Sequence, residues 1–373
     1  MRLDTSIDTG PAYRVLADRI RRAVQEGAYG PGQLIGSEHE LARRENLARM
    51  TVRRASAVLI NEGLIERRPG KGLFVRPNGV STRRVEIIVG NLQWEPAVQV
   101  SRGATAVARD RGIQAQLYDA HGDADQDLDM LRQLPESEAH GAVIVSLHNP
   151  RFNEAVCRLK LKGFPFVLVD QRLHDLDVPS VTADNHGGGY RIGQELLQRG
   201  HRRIAFIGNL GATTVQDRLA GLRDAIADAG LPFDRSMAVD LAVDRDPFGD
   251  WSEAIDGKTR ETMTRANPPT AIFFSCDAVV RAAYRTLSSL GLSIPGEDLG
   301  LSIPGDVSVV GFDDDPLAEW LTPSLSTVRQ PFDEMGRAAM ELLCRLMITP
   351  GSAADRVALP VEFVPRCSIS NLR

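Results

Sequence analysis

Apolar residues at spacings of three and four open the chain. Tyr13, Leu16, Ile20 and Val24 form one stripe, with Arg14, Arg19, Arg21 and Arg22 mostly off it, and predict a helix over 11–26. A turn rich in glycine follows (Gly27, Gly30, Pro31, Gly32), and Ser37-Glu38-His39-Glu40 then has the S-x-x-E form of a capping box, predicting a second helix through Arg44. Val52, Ala55, Val58 and Leu59 predict a third helix over about 48–61, closed by Gly63. After it the period shortens. Leu64 to Arg68 and Leu73 to Arg76 flank Pro69-Gly70-Lys71-Gly72, the pattern of a hairpin with a cationic, glycine-rich tip.

Pro77-Asn78-Gly79-Val80-Ser81-Thr82 is polar and glycine-containing, so it reads as a boundary. The expected division is a head over 1–76, a linker over 77–83 and a body over 84–373. In the body, short apolar runs alternate with helical stretches: Val85 to Val89, Ala142 to Ser146, Phe166 to Val169, Ile204 to Ile207, Ala271 to Phe274 and Val307 to Val310. Such runs are strands buried on both faces of a parallel sheet. Gly112, Gly163, Gly200, Gly230 and Gly291 each stand where a helix should stop. Together these features predict an α/β body behind a small α+β head.

Composition narrows the function classes. The 373 residues, 43% hydrophobic and 25% charged, suit a globular chain of two or three domains. The sequence shows no apolar run of membrane-spanning length, and its opening residues lack a leader pattern, so a cytoplasmic protein with no membrane partner is expected. Cys157, Cys276, Cys344 and Cys367 form no CxxC pair, which argues against a disulfide scaffold or structural zinc. Charge is unevenly spread: residues 1–84 carry 16 Lys and Arg against 9 Asp and Glu, the remainder 28 against 40. A basic head on an acidic body suits a nucleic-acid-binding module joined to a domain that binds something else.

Three helices followed by a hairpin are the plan of a winged helix-turn-helix, whose last helix enters the major groove while the hairpin tip reaches a phosphate or the minor groove. On the third helix Arg49, Arg53 and Arg54 offer guanidinium forks and Thr51 a hydroxyl, and Lys71 adds charge at the tip. The competing reading is a basic solvated face on a small helical domain. The segment Tyr13 to Val75 resembles the DNA-binding domain of the GntR family, through Pro31-Gly32, Ser37 to Leu41, Arg49-Met50-Thr51-Val52-Arg53, Glu62 to Ile65 and Gly70 to Val75. The resemblance implies DNA contacts at His39, Arg49, Arg53 and Gly70. Gly36 replaces the usual proline, and Ala48 replaces the Ser or Thr cap of the third helix, a loss of about 1 kcal/mol.

The body, from Val85 to about Thr349, resembles the effector domain of the LacI/GalR repressors and the related periplasmic sugar-binding proteins. The matching pieces are Leu168 to Arg172, Val181 to Asn185, Gly200 to Gly208, Asp217 to Gly221, Asp306 to Asp314 and Thr327 to Pro331. It implies a periplasmic-binding-protein-like type I fold: two Rossmann-like lobes joined by crossings near residues 182, 312 and 328, with a small molecule between them. Ligands of parallel sheets bind beyond the carboxyl ends of strands, which makes Asp170, Asp277 and Asp313 candidates to accept polyol hydroxyls, Arg218 a candidate donor, and Trp94 or Phe248 a stacking surface. A carboxylate in such a place can instead cap the next helix, an alternative that applies to Asp170 and Asp277. The resemblance also implies pocket roles for Arg218, Asp277 and Asp313. Cys276 stands where that family usually has asparagine, which argues against a simple hexose.

Gly291 to Gly296 (GLSIPG) recurs at Gly300 to Gly305 and is expected to lengthen a surface loop. Enzyme patterns are lacking: Asp123 to Asp127 misses the glycine and glutamate of a calcium loop, Gly208-Asn209-Leu210-Gly211 is only half a dinucleotide fingerprint, and the histidines have no metal spacing. The expectation is therefore a non-enzymatic regulator, most simply a repressor, with no metal and no cofactor. It would bind an inverted-repeat operator in double-stranded DNA as a homodimer and respond to a carbohydrate in the cleft. The alternative is a sugar-binding protein without specific DNA regulation.

Overall fold

A computed structural model of the chain describes residues 11–25, 27–76, 83–145, 150–173, 175–242, 251–289, 301–348 and 355–372. Residues 77–82 of the linker expected over 77–83, Phe248 and the first copy of the repeat lie outside them. The head comprises α1 (Ala12–Gln25), β1 (Leu34–Gly36), α2 (Glu38–Glu45), α3 (Arg49–Asn61), β2 (Ile65–Arg68) and β3 (Gly72–Val75). Leu16, Ile20, Leu41, Val52, Ala55 and Leu59 close its core against Ile65, Leu73 and Val75. The capping box at Ser37 is complete: Ser37 Oγ accepts from Glu40 N and the Glu40 carboxylate accepts from Ser37 N. Ala48 caps α3 without any side-chain bond.

One head element was not anticipated. β1 pairs antiparallel with β3, giving the order β1-β3-β2. Gly36 ends this strand at φ +136°, a conformation closed to proline, which accounts for the departure noted at that position.

In the body, lobe one contains β4 (Arg84–Val89), α4 (Glu95–Asp110), β5 (Gln114–Asp119), α5 (Ala124–Gln133), β6 (Ala142–Val145), α6 (Pro150–Leu161), β7 (Phe166–Val169) and β8 (Ser180–Ala183). Lobe two follows with α7 (Asn185–Gln198), β9 (Ile204–Gly208), α8 (Thr213–Asp228), β10 (Ala238–Asp240), α9 (Ser252–Met263), β11 (Ala271–Phe274), α10 (Asp277–Ser289), β12 (Ser308–Val310) and β13 (Thr327–Arg329). The chain then returns to lobe one as α11 (Phe332–Ile348) and β14 (Arg356–Leu359) and ends in lobe two with β15 (Glu362–Val364). The sheets are parallel, ordered β14-β8-β7-β6-β4-β5 and β10-β9-β11-β12, and β13 pairs antiparallel with β15. Crossings between lobes fall at 183–185, 329–332 and 359–362. The expected crossing near 312 is corrected: β12 continues into β13 of the same lobe, where Asp313 bridges to Arg329.

Two helix pairs lie backbone to backbone. A Cβ on Gly189 of α7 would sit 2.0 Å from the Arg218 carbonyl of α8, and one on Gly221 of α8 would sit 2.0 Å from the His186 carbonyl. Gly103 of α4 and Gly336 of α11 stand in the same reciprocal relation. Gly189→Ala is therefore expected to lower stability by about 1–3 kcal/mol through overpacking, read as a lower midpoint in urea with unchanged slope. Of the repeat, the described copy forms a turn in which the Asp306 carboxylate accepts from Ser302 N and Oγ, and Leu301 and Ile303 pack on the lobe-two core.

Candidate functional site

On the head, α3 buries Val52, Ala55, Ser56 and Leu59 and turns Arg49, Met50, Arg53 and Arg54 outward. Thr51 is half-buried at the edge of that face, while His39 on α2 and Gly70 and Lys71 on the hairpin tip are exposed. Gly70 has φ +72°, as its tight turn requires, with Lys71 N donating to Arg68 O at 3.0 Å. An ion pair between Arg67 and Glu38 ties the wing to α2. Arg54 is partly engaged, its guanidinium lying 4.6 Å from the Tyr13 ring centroid. Met50, 71% exposed in the middle of the arginine face, was not singled out from sequence, although its helical position alone puts it there. It offers an apolar surface of the kind that meets a thymine methyl.

In the body, the carboxyl ends of both sheets open on a shared cavity of about 370 Å³. Lobe one contributes Asn91, Trp94, Asp170 and Gln171; lobe two contributes Arg218, Trp251, Cys276, Arg281, Arg285 and Asp313, among others. Arg218 lies within α8 and is 3% exposed. Its Nε donates to Asn185 Oδ1 at 2.7 Å and its Nη1 to the Ser275 carbonyl, with the guanidinium 3.9 Å from the Phe312 ring centroid. Asp313 Oδ1 lies 3.7 Å from Nη1 and accepts from Gln330 Nε2 at 2.7 Å. Asp170 follows β7 with φ +55°, and Asp313 follows β12 with φ +123°, so both carboxylates sit on strained backbone. Asp170 Oδ1 and both amide atoms of Gln171 are buried without a partner. Such atoms suit a ligand rich in hydroxyls. Across the cleft, Arg172 Nη2 reaches both Asp217 oxygens, at 2.5 and 2.6 Å, and Thr213 Oγ1 donates to the Arg172 carbonyl at 2.9 Å.

Two expectations change. Asp277 does not line this cavity. It starts α10, and its carboxylate accepts from Thr327 Oγ1 at 2.9 Å and from Asp315 N at 3.0 Å, so it clamps helix, loop and β13 together. Burial, and then the charge of Asp313, holds it well above the usual carboxylate range. The second wall of the site is Trp251, ahead of α9, which was not anticipated from sequence. A tryptophan on each side of a cleft is the usual means of holding an apolar sugar face. The Cys276 thiol is pushed up to about 12, chiefly by burial, and stays protonated.

Burial raises Asp170 to about 6 and Asp313 to about 7, in both cases against the opposing charge of Arg218. A carboxyl raised above its unfolded value of about 3.9 adds stability that is complete below that pH and disappears as pH climbs through the folded value. Wild type is accordingly expected to lose stability relative to Asp313→Asn between about pH 5 and pH 8, followed by chemical denaturation of both proteins. A flat or rising difference would refute the assignment. The paired comparison separates Asp313 from His201, which burial shifts downward and which acts in the opposite direction.

Among the described residues, no group of three or more His, Cys, Asp or Glu could hold a metal ion, and no helix is long and apolar enough to cross a membrane.

Comparison with known proteins agrees with both halves. Residues 97–367 match the family of periplasmic binding proteins and the sugar-binding domain of the LacI family, and residues 12–75 match the bacterial regulatory proteins of the gntR family. The chain is 27% identical over 348 residues to the arabinose metabolism transcriptional repressor of Geobacillus stearothermophilus, covering 91% of this chain and 92% of that one. A putative ribose operon repressor from Burkholderia thailandensis superposes with a TM-score of 0.63 at 27% identity, over 76% of this chain and 99% of that one. A CelR–cellobiose complex superposes at 0.66 and 24% identity over 89% and 99%, a likeness of fold. The chain thus belongs to the family of periplasmic binding proteins and LacI sugar-binding domains, carried behind a GntR-family DNA-binding head.

Proposed function

We propose that the protein is a transcriptional repressor that grips an inverted-repeat operator as a homodimer and is controlled by a carbohydrate in the cleft between its lobes. The observation that carries this reading is the cavity at the sheet ends, where Asp170 and Gln171 present buried, unpartnered polar atoms between Trp94 and Trp251. Asp170, Gln171, Arg218 and Asp313 take the sugar hydroxyls, and the two tryptophans hold its faces. On the head, Arg49 and Arg53 read base edges, and His39, Thr51, Arg54, Gly70 and Lys71 lie along the backbone. Pairing of two chains doubles the contacts, and Leu317 and Trp320, the latter 82% exposed, form an apolar surface available for it. The relative named an arabinose metabolism transcriptional repressor, matched along 91% of this chain, supports the reading of a repressor under carbohydrate control.

Effector binding draws the lobes together and favours one spacing of the heads over another; the shift equals the difference in effector affinity between the two arrangements, typically about 1–3 kcal/mol. Electrophoretic retardation of the protein's own upstream DNA, repeated at several salt concentrations, is the test. Sequence-selective retardation that weakens steeply with salt is expected. Equal retardation of unrelated DNA would favour a sugar-binding protein with a merely basic head.

A further inference from the structure

The outer rim of the cleft carries charge that hydroxyl recognition leaves unused. Arg281 and Arg285 stand one turn apart on the face of α10 that lines the cavity, beside Ala278 and Ala282. Both are exposed, and among the described residues neither makes a hydrogen bond or ion pair, whereas Arg260 of the adjoining α9 is paired with Asp256. Like charges at this spacing repel, so the pair weakens its own helix unless an anion sits between them. Two helix starts reinforce the field. α8 begins behind Ala212 and α9 behind Trp251, neither with a side-chain cap, and Ala212, Thr213, Thr214, Trp251 and Ser252 all line the cavity. The positive ends of both helix dipoles therefore lie at the cavity wall. Among the described lining residues the carboxylates are Asp170 and Asp313, which burial moves toward the neutral form. The Gln171 amide, 5% exposed and unpartnered, adds a further donor. A cationic cleft has thus been built into a strongly acidic body.

We propose that the effector is an anionic carbohydrate, whose phosphate or carboxylate is held by Arg281 and Arg285 while Asp170, Gln171 and Arg218 take its hydroxyls. This rests on the cleft being the effector site.

Isothermal titration of the full-length chain against matched sets tests it: neutral pentoses and hexoses, their phosphates, the corresponding sugar acids, and inorganic phosphate alone. At least one anionic member is expected to bind about tenfold or more tighter than its neutral parent, as charge-assisted hydrogen bonds would give. That preference should shrink with added salt. Arg281→Gln combined with Arg285→Gln should remove it without weakening the neutral parent or lowering the melting temperature. The phosphate and acid arms identify the anion. Neutral parents that bind as tightly as their anions, or a preference that survives the double substitution, would overturn the inference. If neutral sugars bind as tightly as their anions and shift operator affinity, the anion assignment alone fails; if no carbohydrate binds while operator binding persists, the carbohydrate reading of the cleft fails with it.

Discussion

Arg218→Met is expected to abolish the response to effector and to destabilise the protein by about 3–5 kcal/mol, the usual cost of removing one partner from a buried ionic cluster. The guanidinium is almost wholly buried and serves Asn185, Ser275 and Asp313 at once, with Asp170 in its field. Methionine fills the volume but leaves two carboxyl groups without a counter-charge. Both then move further up, so at neutral pH they become protonated and the loss is bounded by that neutralisation. The destabilisation should consequently be smaller at about pH 5 than at about pH 8. Operator binding by the unliganded protein should persist, because the head core shares no residue with this cluster. Denaturant titration at both pH values, paired with effector titration, checks each part.

The second large effect lies on α3. Arg49→Ala and Arg53→Ala should each weaken operator binding by about 10²–10⁴-fold in the dimer, since a bidentate base contact is worth about 1–3 kcal/mol and two copies are lost. Arg54→Ala should cost less, because its guanidinium already rests on Tyr13. Fluorescence anisotropy with labelled operator ranks the three variants. Arg54 proving as important as Arg49 and Arg53 would show that the contact face is rotated about the helix axis. Cleft affinity for effector in the absence of DNA should not change in any of them.

The sequence made some of this legible because the signals are local. The 3.6-residue stripe of α1, the capping box of α2 and the glycines after α4, α6, α7 and α8, which adopt φ from +65° to +91°, each depend on neighbours within a few positions. Long apolar strands likewise announced the parallel sheets. Three of the three-residue strands, β1, β10 and β15, were missed, because so short a segment has no measurable period and forms only when a partner is present. The same distinction governs the site. Asp170 and Asp313 could be singled out because each comes within three positions of the end of an apolar strand. Asp277 has an identical local signature, yet its carboxylate is held by Thr327, fifty positions along the chain. Trp251, Gln171, Arg281 and Arg285 become meaningful only when two lobes meet, and no local pattern marks that meeting.

The central claim is that filling the cleft changes the grip of the head. Its most direct test is the operator affinity of the full-length protein, measured by anisotropy with and without a carbohydrate that thermal shift has shown to saturate the cleft. A change of about five- to 150-fold in operator Kd is the expected result, matching a coupling of about 1–3 kcal/mol. An operator Kd that stays the same with the cleft fully occupied would contradict the account.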